Sequence, residues 1–150
     1  MNIKSTFIVM ASGCLLLSAC GSRPSLTELP PEVQVACPSQ QFPAFLDSFA
    51  DSIALQEAFT RFPLQARHLR ASGRSDPVPV DEWLNRSQVR FPLIPPRGER
   101  RTTALIVDVR DASTTVATAT LYKPNTDYQV VFRFALNGCW RLEAIDNRSL

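Results

Sequence analysis

The sequence is poor in residues on which many enzyme mechanisms depend. It contains one histidine, His68, and five glycines in 150 residues. Five scattered glycines do not form a phosphate-binding loop, and no G-x-S-x-G nucleophile motif accompanies the histidine. His68 lies close to Arg67 and Arg70 in a segment that we predict to be a loop, so we expect no catalytic role for it.

An excess of charge of either sign is also missing. The chain has 16 basic and 14 acidic side chains, and nearly all the basic ones are arginine. This balance gives no electrostatic reason to expect a nucleic-acid partner. One histidine and widely separated cysteines lack the clustered spacing of zinc sites. We expect no nucleic acid, no metal and no cofactor.

An apolar run near the start of the chain, from about Phe7 to Leu17, is too short to cross a bilayer as a helix. It follows Lys4 and ends in Leu17-Ser18-Ala19-Cys20, which fits the lipobox of bacterial lipoprotein signals. We therefore predict a signal peptide over residues 1–19 and lipidation of Cys20. The alternative is an ordinary secretory signal with an incidental cysteine.

The residues after Cys20 predict where the protein is anchored. Two or three acyl chains hold a protein stably on a membrane leaflet. Gly21 and Ser22 come next, without the Asp that commonly signals inner-membrane retention, so we expect the periplasmic leaflet of the outer membrane. Prolines in the following stretch indicate a lipidated tether over residues 20–36, and we expect one domain over residues 37–150.

The four cysteines divide into distinct roles. Cys14 leaves with the signal peptide and Cys20 carries lipid, which leaves Cys37 and Cys139 as a pair in an oxidising compartment. A disulfide closing a loop of about a hundred residues would contribute on the order of 4 kcal/mol. Two unrelated structural cysteines are the alternative.

The clearest helical pattern follows the tether. Phe42, Phe45, Leu46, Phe49 and Ile53 recur with the spacing of one apolar helix face. Proline is tolerated in a first turn, and because position 43 is proline we expect the helix to begin near Phe42. A second short helix or a continuation should run through Gln56 to about Phe59.

The middle of the chain repeats a short motif. Arg61-Phe62-Pro63-Leu64 recurs as Arg90-Phe91-Pro92-Leu93, and proline makes each copy an expected edge segment or strand end. We predict a polar turn over Arg67 to Asp76 and a loop over Pro95 to Arg101. Val78 to Leu84 should form a short strand or a helical turn.

The C-terminal third is rich in β-branched residues and indicates strands. Turns are expected over Arg110–Ser113 and Lys123–Asp127. The predicted strands are Thr103–Val109, Thr114–Tyr122, Tyr128–Ala135 and Cys139–Ile145.

The last two strands predict a hairpin around Asn137-Gly138. A three-residue loop with Gly138 in the left-handed conformation would pair Phe134 with Trp140 and keep one continuous apolar face. It also pairs Phe132 with Leu142 and Val130 with Ala144. Arg133, Cys139, Arg141 and Glu143 would then share the opposite face, within reach of Cys37.

These motifs together resemble a family of bacterial envelope lipoproteins of unknown function, the DUF4348 type. The resemblance rests on Phe42-x-x-Phe45-Leu46-x-x-Phe49, Phe59-x-x-Phe62-Pro63-Leu64 and Asn137-Gly138-x-Trp140-x-Leu142. It implies an α+β fold of the NTF2 or cystatin type, in which an N-terminal helix packs on a curved, mainly antiparallel sheet. The family pattern has no counterpart of the cysteine pair or of the second Arg-Phe-Pro-Leu copy.

Two sets of charged residues are the remaining candidates for a site. NTF2-like cups can hold a strand carboxylate beside a tyrosine, and the residues available for such an enzyme are Asp108, Glu143, Tyr122 and Tyr128. An arginine rim could instead meet an acidic partner or anionic polymer. Its members are Arg61, Arg67, Arg70, Arg74, Arg100 and Arg101.

We expect a binding module and not an enzyme. The main hypothesis is an accessory subunit of an envelope complex, held at the membrane through Cys20 and bound to a periplasmic protein. An immunity lipoprotein that neutralises a periplasmic toxin is the first alternative, and a small-ligand or enzymatic NTF2-like cup is the second.

Overall fold

The computed structural model describes residues 35–73 and 76–149, which belong to one compact unit. The predicted signal peptide, the lipidation site at Cys20, most of the tether and Arg74 lie outside the described residues. Within them, helices come first and strands form most of the remainder. The elements are α1 (Phe42–Asp51), α2 (Ile53–Ala58), β1 (Thr60–Arg70), β2 (Val78–Leu84), a 3-10 helix (Arg86–Gln88), α3 (Arg97–Thr103), β3 (Ile106–Ala112), β4 (Val116–Tyr122), β5 (Gln129–Asn137) and β6 (Cys139–Asn147).

Helix α1 begins at Phe42, as its apolar spacing and the proline at its first turn predict. It ends at Asp51 because Ser52 adopts an extended conformation. The Ser52 Oγ atom then accepts a hydrogen bond from the Leu55 backbone N–H at 3.3 Å, which caps α2. One serine therefore separates the two helices.

The six strands form one curved, mixed sheet in the order β2-β1-β6-β5-β4-β3. All neighbouring strands are antiparallel except β1 and β6, which are parallel. The predicted α+β class with a mainly antiparallel sheet is confirmed. The parallel pair places the strand after the helices beside the last strand of the chain.

The predicted register of the last hairpin is wrong. The structure pairs Phe134 with Leu142 in place of Trp140, and Glu143 is an extra residue at a bulge in β6. Between the turn and the bulge the shift is two residues, so Trp140 and Leu142 stay on the core face. Beyond the bulge it is three residues, so Ala144, predicted on the core face, lies on the opposite face beside Arg133, and Ile145 pairs with Phe132. Gly138 does adopt the expected left-handed conformation, with φ 71°.

Two predicted irregular segments are instead regular. Strand β1 runs on to Arg70 where a turn from Arg67 was expected, and Pro95 to Arg101 contains the start of α3 where a loop was expected. The turn predicted over Arg110 to Ser113 is shorter, because β3 continues to Ala112.

The two Arg-Phe-Pro-Leu copies differ in structure. Pro63 lies near the start of β1, where the ladder with β6 is interrupted between Thr60 and Gln65. A proline, which has no N–H to donate, is tolerated at such an interruption. Pro92, in contrast, lies outside any strand. Both prolines follow cis peptide bonds.

Aromatic rings fill the space between α1 and the inner face of the sheet, which we define as the face that α1 covers. Phe45 and Phe49 of α1 are fully buried, and Phe134 and Trp140 of the sheet are almost so. The Phe42 ring lies 5.2 Å from that of Phe134 and 4.9 Å from that of Trp140. Burying each such side chain contributes about 1.5 to 3 kcal/mol.

Candidate functional site

Cys37 and Cys139 form the predicted disulfide, with Cα atoms 5.6 Å apart and a sequence separation of 102. The same region is held by two further contacts. The Gln40 side-chain amide donates to the Gly138 carbonyl, and the Trp140 indole N–H donates to the Gln40 carbonyl at 2.9 Å. The chain that enters α1 is therefore attached to the tip of the last hairpin.

The lone histidine lies on β1 and not in the predicted loop. Its Nδ1 atom is 3.4 Å from a Glu82 carboxylate oxygen, and its side chain is about one-third exposed. Val80 and Asn147 are its partners in the sheet ladders. Neither neighbour is a nucleophile, so the surroundings of His68 do not supply the groups that a histidine base would activate.

The two candidate carboxylates both face solvent in ion pairs. An Asp108 oxygen lies 3.6 Å from Arg110 Nε, and a Glu143 oxygen lies 2.9 Å from Arg61 Nη1. Their side chains are 47% and 40% exposed. Neither points into the inner side of the sheet, where a desolvated acid would have to lie.

The candidate tyrosines do not complete an acid site either. The Tyr122 ring lies on the outer side of the sheet, 5.8 Å from the Arg110 guanidinium. Tyr128 packs against the core beside the turn that joins β4 and β5. The four residues of the carboxylate hypothesis are therefore not brought together on the inner face.

The arginines of the proposed rim fall into separate groups. Arg61 and Arg67 lie on β1, whereas Arg100 and Arg101 lie on α3. The Arg100 side chain is only 12% exposed, and its Nη2 atom lies 3.7 Å from Asp51 of α1. Arg100 is thus a contact between α3 and α1, and the predicted rim is not continuous. Arg70 is exposed at the end of β1.

Arg67 forms the best-aligned ion pair of the sheet. Its Nε and Nη2 atoms donate to the two Asp81 carboxylate oxygens at 2.7 and 3.0 Å. The hydrogen bond from Arg67 lowers the pKa of Asp81, and the same bond raises the pKa of Arg67. This bidentate pair joins β1 to the edge strand β2.

A surface pocket of about 270 Å³ lies on the other side of the sheet from α1, which we call the outer face. Trp83, 64% exposed, forms one wall beside Gln65 of the neighbouring strand. The pocket is completed by Arg61, Phe62, Pro63 and Glu143. An exposed indole beside a pocket is typical of a binding surface. The sequence predicted a short strand or a helical turn over Val78 to Leu84. It did not predict the exposure of Trp83, which follows from its alternation with the partly buried Leu84.

Within residues 35–73 and 76–149, no cluster of metal-binding side chains is present, and no helix is long and apolar enough to cross a membrane. The candidate site is therefore the outer face around Trp83.

Comparisons with known proteins support the fold. The sequence matches no protein-family model and no curated protein. The structure is similar to the crystal structure of an NTF2-like protein from Bacteroides fragilis, with a TM-score of 0.52 and 15% sequence identity. The match covers 73% of this chain but only 47% of that one, so this chain spans about half the length of its structural neighbour. The chain has an NTF2-like fold.

Proposed function

We propose that this protein is an outer-membrane lipoprotein that binds a partner protein in the periplasm, as an accessory subunit of an envelope complex, and catalyses no reaction. The proposal rests on a contrast between the two faces of the sheet. Aromatic rings occupy the inner side of the sheet, where an NTF2-like cup would hold a substrate, whereas the outer face presents the exposed indole of Trp83. The surface suited to recognition is thus the outer one.

The compartment in this proposal rests on the lipobox around Cys20 and on the cysteine pair. A disulfide between Cys37 and Cys139 suits an oxidising compartment such as the periplasm. Membership of the DUF4348 type is part of the same proposal. It is supported by the phenylalanine spacing of α1 and by the Asn137-Gly138-x-Trp140 hairpin.

The anchor is tested by fractionating cells that express the full chain. We expect wild type in the outer-membrane fraction and Cys20→Ser in the soluble periplasm or unprocessed. Cys14→Ser is the matched control, since it removes a cysteine from the predicted signal and should leave the protein on the membrane. Equal membrane association of all three chains would contradict lipid anchoring at Cys20.

The partner is tested by chemical crosslinking in intact cells, followed by affinity purification of the tagged chain and quantitative mass spectrometry. We expect one envelope protein to be recovered in near-stoichiometric amount with wild type and to be reduced at least fivefold with Trp83→Ala. Ile53→Ala, which removes another exposed apolar side chain, is the control. If no protein depends on Trp83, the binding proposal fails.

The identity of the recovered protein separates the accessory role from the immunity role. A secretion or cell-wall component indicates an accessory subunit, and a toxin indicates an immunity lipoprotein.

A further inference from the structure

Four residues form one continuous row across the outer face. Ladder pairing aligns Arg133 of β5 with Ala144 of β6, Ala144 with Gln65 of β1, and Gln65 with Trp83 of β2. Adjacent strands are about 4.8 Å apart, so the row spans about 14 Å from the arginine to the indole. Ala144, in the middle of the row, has a short side chain and is 7% exposed, so the longer side chains of Arg133, Gln65 and Trp83 provide the exposed surface.

One end of the row has two positive charges. Arg133 and Arg141 are both exposed, and neither makes a hydrogen bond or an ion pair within the described residues. Arg141 pairs with Ala135, two residues from Arg133, so the two Cα atoms are diagonal neighbours about 7 to 8 Å apart.

The other charges near the row are balanced or distant. Glu143 is paired with Arg61 at 2.9 Å, and Asp146 is paired with Arg148 at 2.9 Å. Asp111 aligns with Thr118, which aligns with Arg133, so this carboxylate lies two strands away, at about 10 Å. Arg133 and Arg141 are therefore the uncompensated cations at this end of the row.

The other end of the row combines apolar side chains with Gln65 and the paired Arg61 and Glu143. Trp83 and Phe62 line the pocket with Pro63, and the pocket opens beside Gln65. An indole next to a concave surface is the environment in which one apolar side chain of a partner contributes most to binding. The row thus joins two unpaired arginines to a pocket with an exposed indole.

We propose that this row binds an extended acidic segment of a partner protein, with a carboxylate on Arg133 and Arg141 and an apolar side chain about four residues away in the Trp83 pocket. An extended chain advances about 3.3 Å per residue, so four residues match the 14 Å span. This inference rests on the proposed binding function and specifies the surface and the chemistry of the partner. Arginine pairs bind carboxylates in a fork geometry that gives orientation as well as attraction.

A protein segment fits this row better than an anionic lipid or polysaccharide. The anion-binding part is only two arginines wide, and it is combined with an apolar pocket at a fixed distance. Binding of a polyanion or a membrane surface requires positive charge on the protein but does not require such a pocket.

The proposal is tested with a phage-displayed library of random twelve-residue peptides, selected on the detergent-solubilised full chain. We expect enriched peptides to carry Asp or Glu about four residues from Trp, Phe, Leu or Met. Synthetic versions of these peptides should bind Arg133→Glu/Arg141→Glu at least tenfold more weakly, and Trp83→Ala at least tenfold more weakly. They should also bind more weakly at high salt.

The matched control is Arg70→Glu/Arg101→Glu, which changes the net charge by the same amount at two exposed arginines elsewhere. Its affinity should be within about twofold of wild type. Arg133→Lys/Arg141→Lys should retain part of the affinity because it preserves the charge. Equal melting temperatures of the variants would show that folding does not explain the losses.

Three results would overturn the inference: no enriched peptides, enriched peptides without acidic residues, or equal weakening by the control. Binding of phosphatidylglycerol vesicles that depends on Arg133 and Arg141 but not on Trp83 would also overturn it, because the surface would then bind lipid. Crosslinking in cells could recover a Trp83-dependent partner while the acidic peptides do not bind. In that case the proposed binding function is retained, and only the proposal of an acidic partner segment is rejected.

Discussion

Gln56 and Ile94 are joined by two reciprocal hydrogen bonds. The Gln56 side-chain Nε2 donates to the Ile94 carbonyl at 2.8 Å, and the Ile94 backbone N–H donates to the Gln56 side-chain Oε1 at 3.2 Å. Gln56 also accepts from the Leu93 N–H at 2.6 Å and donates to the Ala50 carbonyl at 3.3 Å. One fully buried side chain thus holds the second Arg-Phe-Pro-Leu copy against the helices.

Replacing this side chain should be costly. Gln56→Leu has similar volume but leaves the Leu93 and Ile94 N–H groups without partners, and each buried unpaired group costs about 1 to 3 kcal/mol. We expect a loss of about 3 kcal/mol in the free energy of unfolding, measured by equilibrium urea denaturation. Glu57→Gln, the neighbouring partly exposed position, should change it by less than about 1 kcal/mol. Equal effects would contradict the role of Gln56.

The disulfide should stabilise the domain mainly through the loop that it closes. In the chain-entropy description a loop of 102 residues corresponds to about 4 to 5 kcal/mol. We expect Cys37→Ser to lower the free energy of unfolding by up to that amount under oxidising conditions. In dithiothreitol, wild type and variant should unfold at nearly the same urea concentration. A difference that persists in reductant would mean that the serine itself disturbs the fold.

The Arg67–Asp81 pair makes the free energy of unfolding depend on pH in the acidic range. Because the hydrogen bond from Arg67 lowers the pKa of Asp81 in the folded state, the folded protein binds fewer protons than the unfolded one. The ion pair stabilises the fold fully at pH values above the pKa that Asp81 has in the unfolded chain. This stabilisation is lost as the pH falls through the lower pKa that Asp81 has in the folded protein.

This dependence is measured by NMR titration of the Asp81 carboxyl group. We expect its midpoint below the ordinary value of 3.8 in wild type and close to that value in Arg67→Gln. Melting between pH 5 and pH 2 should lose part of its acid sensitivity in Asp81→Asn. A midpoint unaffected by Arg67→Gln would show that the pair does not form in solution.

The turn of the last hairpin requires a residue that tolerates a left-handed backbone. Gly138 has φ 71°, and an added Cβ atom would meet no neighbour within 4 Å. Gly138→Ala should therefore act through backbone conformation alone. We expect it to lower the free energy of unfolding, measured in urea, by about 1 to 2 kcal/mol. Gly98→Ala, also in open space but at a helical position, should be neutral or stabilising.

The sequence predicted α1 from its apolar periodicity and the C-terminal strands from their β-branched residues, with the bounds of β3 three residues too early. For Val78–Leu84 it predicted a strand or a helical turn. It missed the end of β1 because Arg67 and His68 look like turn residues until Asp81 and Glu82 of β2 supply their partners. It missed α3 because Arg97–Thr103 has no apolar face. That helix is held through Arg97, whose backbone N–H donates to Asp51 at 2.6 Å.

The candidate site was less predictable than the fold. The row from Arg133 to Trp83 exists only because β1 lies beside β6, and no local pattern indicates this parallel pairing. The predicted rim contained arginines that are close in sequence, such as Arg61 and Arg70, and did not include Arg133 or Arg141. The cysteine pair was predictable because the proposed roles of Cys14 and Cys20 left only two cysteines to pair.

The most direct test of the account is photocrosslinking in living cells. A photoreactive phenylalanine analogue is placed at Gln65 in the middle of the row or, as a control, at the exposed Ala54 of α2. We predict a single discrete adduct from position 65, its loss in the Arg133→Glu/Arg141→Glu background, and none from position 54. An adduct from position 54 alone, or one from position 65 that survives the charge reversal, would contradict recognition of an acidic partner by the outer face.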